Sequence, residues 1–251
     1  MEKVENISKK PNIEIVAKET TSLADLATTA LRNKILDLSL TPSEHLEEKM
    51  LLERFPFGRT PLREALNRLM AEGLVETKNG RGAYVASMSI WHTLQLLEAY
   101  VISERVVASL IKFDDTDLIQ DLKEIQTEYE DVSKNADILG ITEKNNRFHR
   151  RLAKATGNRF IIAQHADLHN LARRLSFFVY SSENVSNKEF KLQVSRITRQ
   201  HYEIIGFIQD KNRSELVALL TEHAVLFRSR LSAVIGGGAD KELDFSQITS
   251  G

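Results

Sequence analysis

The chain has 251 residues, 42% of them hydrophobic and 27% charged, which is ordinary for a globular protein and excludes disorder over the whole length. Its 34 Lys and Arg against 35 Asp and Glu give a formal net charge of -1, so a nucleic-acid partner has to be met by locally clustered cations rather than by an overall basic balance. The lack of cysteine excludes disulfides, thiolate metal sites and a cysteine nucleophile, and it accords with a cytoplasmic location. No apolar run approaches the ~18 residues of a membrane span, and the opening MEKVENISKKPNIEIVAKE lacks the apolar middle of a signal peptide. With 4 Pro and 11 Gly, few breaks are available, and helix is expected to dominate.

Residues 1–20 carry no helical period and are expected to form a flexible arm. From Ser22 the pattern changes. Leu23, Leu26, Ala27, Ala30, Leu31, Ile35 and Leu38 recur at helical spacing, and Thr41-Pro42-Ser43 ends that run. A short second helix is predicted from Ser43 or Glu44 to Arg54, followed by a turn at Phe55-Pro56-Phe57-Gly58. A third helix is predicted to start at Thr60-Pro61, with Thr60 as N-cap and Pro61 at the first helical position, and to end at Gly73. Two β-prone pieces follow, 74–77 and 83–86, joined by Lys78-Asn79-Gly80-Arg81-Gly82, whose Asn-Gly is a strong hairpin signal. Three helices and a hairpin are the outline of a winged helix-turn-helix, with residues 21–88 as its domain.

From residue 89 the texture is long and amphipathic. Helices are predicted over 90–112, 115–133, 137–157, 159–182, 187–209 and 212–235, with Asp114-Asp115-Thr116, Asn158, Ser186-Asn187 and Asp210-Lys211-Asn212 as breaks or caps. Six such helices with short connections imply an antiparallel bundle over 89–236. The glycine triplet at 236–238 opens a flexible tail over 237–251. The predicted fold class is therefore mostly α: an N-terminal winged helix-turn-helix with a small β-hairpin wing, then a bundle of about six helices.

Within 58-GRTPLREALNRLMAEGLV-75, helical spacing places Leu62, Leu66 and Leu69 on one face, with Arg59, Arg63, Asn67 and Arg68 on the other side or its margins. A helix that reads the major groove needs this division, because a planar guanidinium can pair bidentately with guanine or clamp a phosphate. The same charges also suit a plain solvated helix. The cationic wing beside it, carrying Lys78 and Arg81, favours DNA. The run Arg59-Thr60-Pro61-Leu62-Arg63-Glu64-Ala65-Leu66, then Leu69, Glu72-Gly73-Leu74-Val75 and Gly80-Arg81-Gly82-Ala83-Tyr84-Val85, resembles the N-terminal domain of GntR-type transcriptional regulators. The resemblance implies DNA contacts from Lys49, Arg59, Thr60, Arg63, Asn67, Arg68, Arg81 and Gly82. One winged helix offers too few contacts for specific affinity, so a homodimer on a palindromic double-stranded operator is expected. Pro56-Phe57-Gly58 departs from the family's Gly-Val-Ser type of turn, so a serine that could cap the helix is missing.

Seven histidines stand at 45, 92, 149, 165, 169, 201 and 223. Asn145 and His149 share a helix face, and His201 and His223 lie on the two last helices. Imidazoles from separate helices suit Zn, Ni, Fe or Mn with positions left open. His165 and His169 form a rival i,i+4 pair, and spacing does not choose between them. The stretch 145-NNRFHRRLAKATGN-158 resembles the FCD ligand-binding domain of the FadR branch, in its shorter VanR-like version. That resemblance implies a divalent ion held by Asn145, His149, His201 and His223. Asn145 stands where Asp is usual, which removes a charge and leaves the site neutral apart from the ion. Arg173 and Arg174 fall where the family's bundle carries a cation near the effector. Tyr100 takes the position of an Arg four residues before Glu104, which argues for a larger or aromatic acid. The chain thus reads as a cytoplasmic regulator, a repressor, whose operator binding answers a small organic acid beside a metal. The alternative is a metal-dependent helical-bundle enzyme with an accessory winged helix. Against it, no motif sets a second carboxylate or activated nucleophile beside the histidines. An adaptor using its winged helix on protein is a third reading, disfavoured by the arginine-lined helix.

Overall fold

The computed structural model describes residues 22–78, 82–182 and 188–235. The expected arm at 1–20, the hairpin turn at Asn79-Gly80 with Arg81, the Ser186-Asn187 break and the tail at 237–251 lie outside the described residues. Among the described residues the order is α1 (Leu23–Leu36), α2 (Glu48–Arg54), α3 (Arg59–Ala71), β1 (Val75–Thr77), β2 (Ala83–Val85), α4 (Ile90–Leu110), α5 (Leu118–Lys134), α6 (Ile138–Lys154), α7 (Arg159–Ser182), α8 (Lys188–Gln209) and α9 (Arg213–Ile235). The class is mostly α, a winged-helix unit followed by a six-helix bundle, as the periodicities predict.

Local chemistry sets the starts. Ser22 and Asp25 form a reciprocal capping box that opens α1. The buried stripe of α1 is Ala24, Ala27, Leu31 and Ile35, so Leu23 and Leu26, expected on the apolar face, are turned outward. α2 begins later than predicted. The Ser43 and Leu46 amides donate to the Val85 and Ala83 carbonyls, and the Val85 amide donates to the Glu44 carbonyl. Residues 43–46 therefore act as an added edge against the hairpin, and that pairing displaces the first helical turn. α3 begins at Arg59 with Gly58 as N-cap and no side-chain cap, so Thr60 is already inside the helix and does not cap it. The wing is antiparallel, with Val75 opposite Val85 and Thr77 opposite Ala83. Gly82 takes φ +76°, and a Cβ there would lie 2.5 Å from His45 Nε2, so only glycine lets His45 stack on Tyr84 beside it. Leu31, Ile35, Leu51, Leu62, Leu69 and Val85 fill this unit's core.

The bundle is a closed ring. α4 packs on α9, α9 on α8, α8 on α5, α5 on α6, α6 on α7 and α7 back on α4. Val107, Leu122, Phe148, Leu152, Ile204 and Leu220 are buried within it. Asn158 Oδ1 accepts from the Phe160 amide at 3.1 Å and caps the start of α7. The two units share apolar contacts: Leu171 packs on the winged-helix core, and Leu38 and Met88 join Leu175, Phe178 and Leu231.

Candidate metal centre and nucleic-acid interface

Every helix of the ring sends at least one polar side chain to its middle. α4 gives Glu104, α5 Gln126, α6 His149, α7 His165 and His169, α8 His201, and α9 His223, all of them buried. Buried polar groups persist only where they are satisfied, and here the satisfaction follows one plan. His149 Nδ1 lies 3.1 Å from Glu104 Oε2, His201 Nδ1 2.7 Å from Gln126 Oε1, and His223 Nδ1 2.9 Å from Gln200 Oε1. With each Nδ1–H donated to an oxygen, each Nε2 keeps its lone pair. One coordinating nitrogen from each of the three imidazoles lies within 4.8 Å of the other two. The Nε2 atoms of His149 and His201 are buried with no hydrogen-bond partner, and so is Asn145 Oδ1. Orphaned acceptors converging from α6 and α8 are what a cation would satisfy, and outer hydrogen bonds that fix ring and tautomer are typical of histidine ligands. Phe148 stacks on His201 at 4.0 Å between ring centroids and holds that ring in plane.

Glu104 is the charged base of this arrangement. Its Oε1 lies 3.0 Å from His165 Nε2 and 2.5 Å from His169 Nε2. These three could themselves hold a cation, and Glu104 has three imidazole nitrogens within hydrogen-bond distance. Burial alone would raise the Glu104 carboxyl. The imidazoles of His149 and His169, with hydrogen bonds from His149 and His165, hold it well below the ordinary range instead. Burial pushes His169 and His223 down to about 3 and His201 well below its usual value, so these rings are neutral. Asn145 brings no charge to the four expected ligands, and the Glu104 carboxylate stands one hydrogen bond behind His149.

Beside His223 lies a cavity of about 50 Å³, lined by Tyr100, Asn145, Tyr180, Arg196 and Arg230 among others. That is room for roughly three to five waters. Arg196 reaches Glu222 at 3.2 Å through Nη2 and keeps a buried Nε without a partner. Arg230 lies over the Tyr180 ring at 4.3 Å. Arg173 and Arg174 do not line this cavity. Both sit on α7, but Arg174 lines a separate cavity against the winged-helix unit. The sequence reading gave no site role to Glu104, named there only beside Tyr100, nor to Gln126, Gln200, Arg196 and Arg230. For the first two a signal existed: each occupies a position of its helix's apolar stripe (Leu97, Tyr100, Val107 around Glu104; Leu122, Ile125, Tyr129 around Gln126).

In the winged-helix unit, Arg59, Arg63 and Asn67 form an exposed i, i+4, i+8 stripe on α3. Lys49 and Thr60 are exposed as well. Both arginines lean on Glu48 of α2, Arg59 at 3.2 Å and Arg63 at 2.7 Å, while remaining mostly exposed. Such pairs are weak and free the guanidiniums at little cost. Arg68 differs. It lies about 140° around the helix from Arg63 and pairs with Asp25 of α1. Hydrogen bonds from Ser22 and Arg68 hold the Asp25 carboxyl down at about 2. Arg81 lies outside the described residues.

Comparison with known proteins follows the same division. Residues 23–85 match the bacterial regulatory proteins of the gntR family, and residues 95–225 match the FCD domain. The transcriptional repressor GlaR of Escherichia coli is 30% identical over 162 residues, covering 59% of this chain and 69% of GlaR. The repressor NanR of an Enterobacter species is 26% identical over 219 residues, 80% of this chain and 82% of NanR. Among solved structures, E. coli McbR/YncC superposes with a TM-score of 0.68 at 15% identity, covering 84% of this chain and 98% of the other. Listeria monocytogenes Lar gives 0.57 at 18%, covering 85% and 98%. At these identities the two structures establish likeness of fold. No helix among the described residues is long and apolar enough to cross a membrane.

Proposed function

Because the chain belongs to the GntR family of bacterial regulators and carries an FCD domain, we propose a cytoplasmic, metabolite-responsive repressor whose ligand site is built on a divalent metal. That the chain is a DNA-binding transcriptional regulator and not an enzyme follows from its relatives. The finer reading rests on one observation: three buried imidazoles on α6, α8 and α9, each tied through Nδ1, leave Nε2 for an ion beside a small cationic cavity. Asn145, His149, His201 and His223 would hold the metal, which supplies a Lewis-acidic point for an effector oxygen. Arg196 and Arg230 supply charge for a carboxylate. Residues 21–88 bind DNA in this reading and 89–236 sense the acid.

Arg59, Arg63, Asn67 and Lys49 face the operator, and Arg68 plays a secondary part. A single winged helix offers few contacts, so two copies reading a palindrome are expected. An exposed stripe of Ile102, Val106 and Leu110 on α4, spaced four residues apart, offers an apolar face for the second copy. Light scattering on the wild type and on Ile102→Glu tests this. A dimer that the substitution dissociates supports the assembly, and a wild-type monomer at micromolar concentration refutes it. Elemental analysis of purified His201→Ala tests the metal, which should be lost while binding to promoter DNA persists.

A further inference from the structure

Arg174 is 2% exposed, among the largest fully buried side chains of the protein. Its Nε and Nη2 have no hydrogen-bond partner, and it takes part in no ion pair among the described residues. Burial draws the guanidinium down to about 9, with Glu76 working weakly the other way, so it stays protonated at neutral pH. A buried, charged and unmatched arginine is costly, and this one lines a cavity of about 220 Å³.

The walls of that cavity come from both units. The winged-helix side gives Gly73, Glu76 and Ser87, and the bundle gives His92 and Thr93 from the first turn of α4 and Leu171 from α7. α4 is a 21-residue helix whose N-terminal end carries partial positive charge. Ser87 and Thr93 add hydroxyls. The carboxylate of Glu76 is engaged elsewhere, accepting from the Ser87 amide at 3.3 Å with Lys78 at 3.9 Å.

We propose that this inter-unit cavity is a second ligand site, distinct from the metal centre, which takes a small oxyanion on the Arg174 guanidinium with the first turn of α4 and the Ser87 and Thr93 hydroxyls around it. Its occupant ties the DNA-reading unit to the bundle, because its contacts lie on both. α7 carries Arg174 on one side of this junction and, further along, Ser176 and Tyr180 in the wall of the cavity beside the metal centre. One helix therefore touches both sites.

The test is the melting temperature of the full-length protein in anion-poor buffer at constant ionic strength, titrated with inorganic phosphate in one arm and acetate in the other. Wild type should rise and saturate in at least one arm, and the arm identifies the oxyanion as phosphate or carboxylate. Arg196→Ala, which weakens the metal-side cavity for a carboxylate, should keep the part of the response that belongs to Arg174, which separates the two sites. Arg174→Met should lose that part. It should also melt at or above the wild-type temperature in the absence of added anion, because an unmatched buried charge has gone. Ser87→Glu, which offers a carboxylate to Arg174 from within the chain, should lose that part too. No response in wild type, or an undiminished response in Arg174→Met, overturns the proposal. Should neither variant fold, anomalous diffraction from a selenate-soaked crystal decides: a peak on Arg174 supports the site, and its absence there overturns it.

Discussion

The proposed DNA-reading face and the bundle centre solve opposite electrostatic problems. On α3 the arginines are mostly exposed and share one acceptor, Glu48, across pairs that water screens. In the bundle one carboxylate, Glu104, is fully buried and shared by three imidazoles from two helices. The exposed charges are cheap to hold and easy to redirect to phosphates. The buried ones are expensive and must be fixed before any ligand arrives. A regulator needs both: a surface that trades partners, and a centre whose geometry a ligand completes.

The comparison predicts unequal responses to substitution. Glu104→Leu should be the most damaging, destabilising the fold by about 3–5 kcal/mol, because three buried imidazole N–H groups lose their shared acceptor. Urea denaturation measures it, and a loss below ~1 kcal/mol would mean that Glu104 does not anchor the centre. Acid should strain the same place. His169 and His223 titrate near 3 in the folded state against 6.5 for a free imidazole. Between those values the unfolded chain binds protons that the folded chain refuses, so stability falls as pH drops from 6.5 towards 3. Each such histidine costs about 1.4 kcal/mol per pH unit in that window. Denaturation of metal-stripped protein at pH 7 and pH 5 checks the slope, and equal stabilities would contradict neutral buried rings.

On the exposed face the losses should fall on binding rather than folding. Arg63→Ala should weaken operator binding by ~1–3 kcal/mol and barely move the melting temperature. An unaltered gel shift would show that α3 is not the reading helix. Asn145→Asp should tighten metal binding by about tenfold, since a charged oxygen replaces a neutral one. Its effect is kept modest by the carboxylate of Glu104 already nearby, and competition with a colorimetric chelator gives the ratio. Arg68→Ala should weaken operator binding least, because its guanidinium is turned to Asp25.

The two regions were also unequally legible. Helix lengths and order in the bundle follow from apolar periodicity, which burial enforces along every turn, and the six predicted spans lie within about three residues of those found. Arg59 and Arg63 could be placed because helical spacing alone orients an exposed stripe. Boundaries failed where non-local pairing intervened. Residues 43–46 were given to a helix because their hydrogen bonds to Ala83 and Val85 cross forty residues. The histidines of the centre could be named from a resemblance, but their outer partners could not, since Gln126 meets His201 and Glu104 meets His149 only once the ring of helices closes. Arg173 and Arg174 looked alike in the sequence. Adjacent positions on α7 point about 100° apart, which sends Arg174 into the junction between the units and leaves neither arginine in the wall of the cavity beside His223.

The central claim is that His149, His201 and His223 form one metal centre on which the bundle's ligand response depends. Elemental analysis of purified wild type, His149→Ala, His201→Ala, His165→Ala and His169→Ala, each checked for DNA binding, tests it directly. The account predicts about one equivalent of a divalent metal in wild type and in both α7 variants, metal lost from His149→Ala and His201→Ala, and DNA binding retained in all five. Full occupancy in His149→Ala and His201→Ala, or loss confined to the α7 pair, would contradict it.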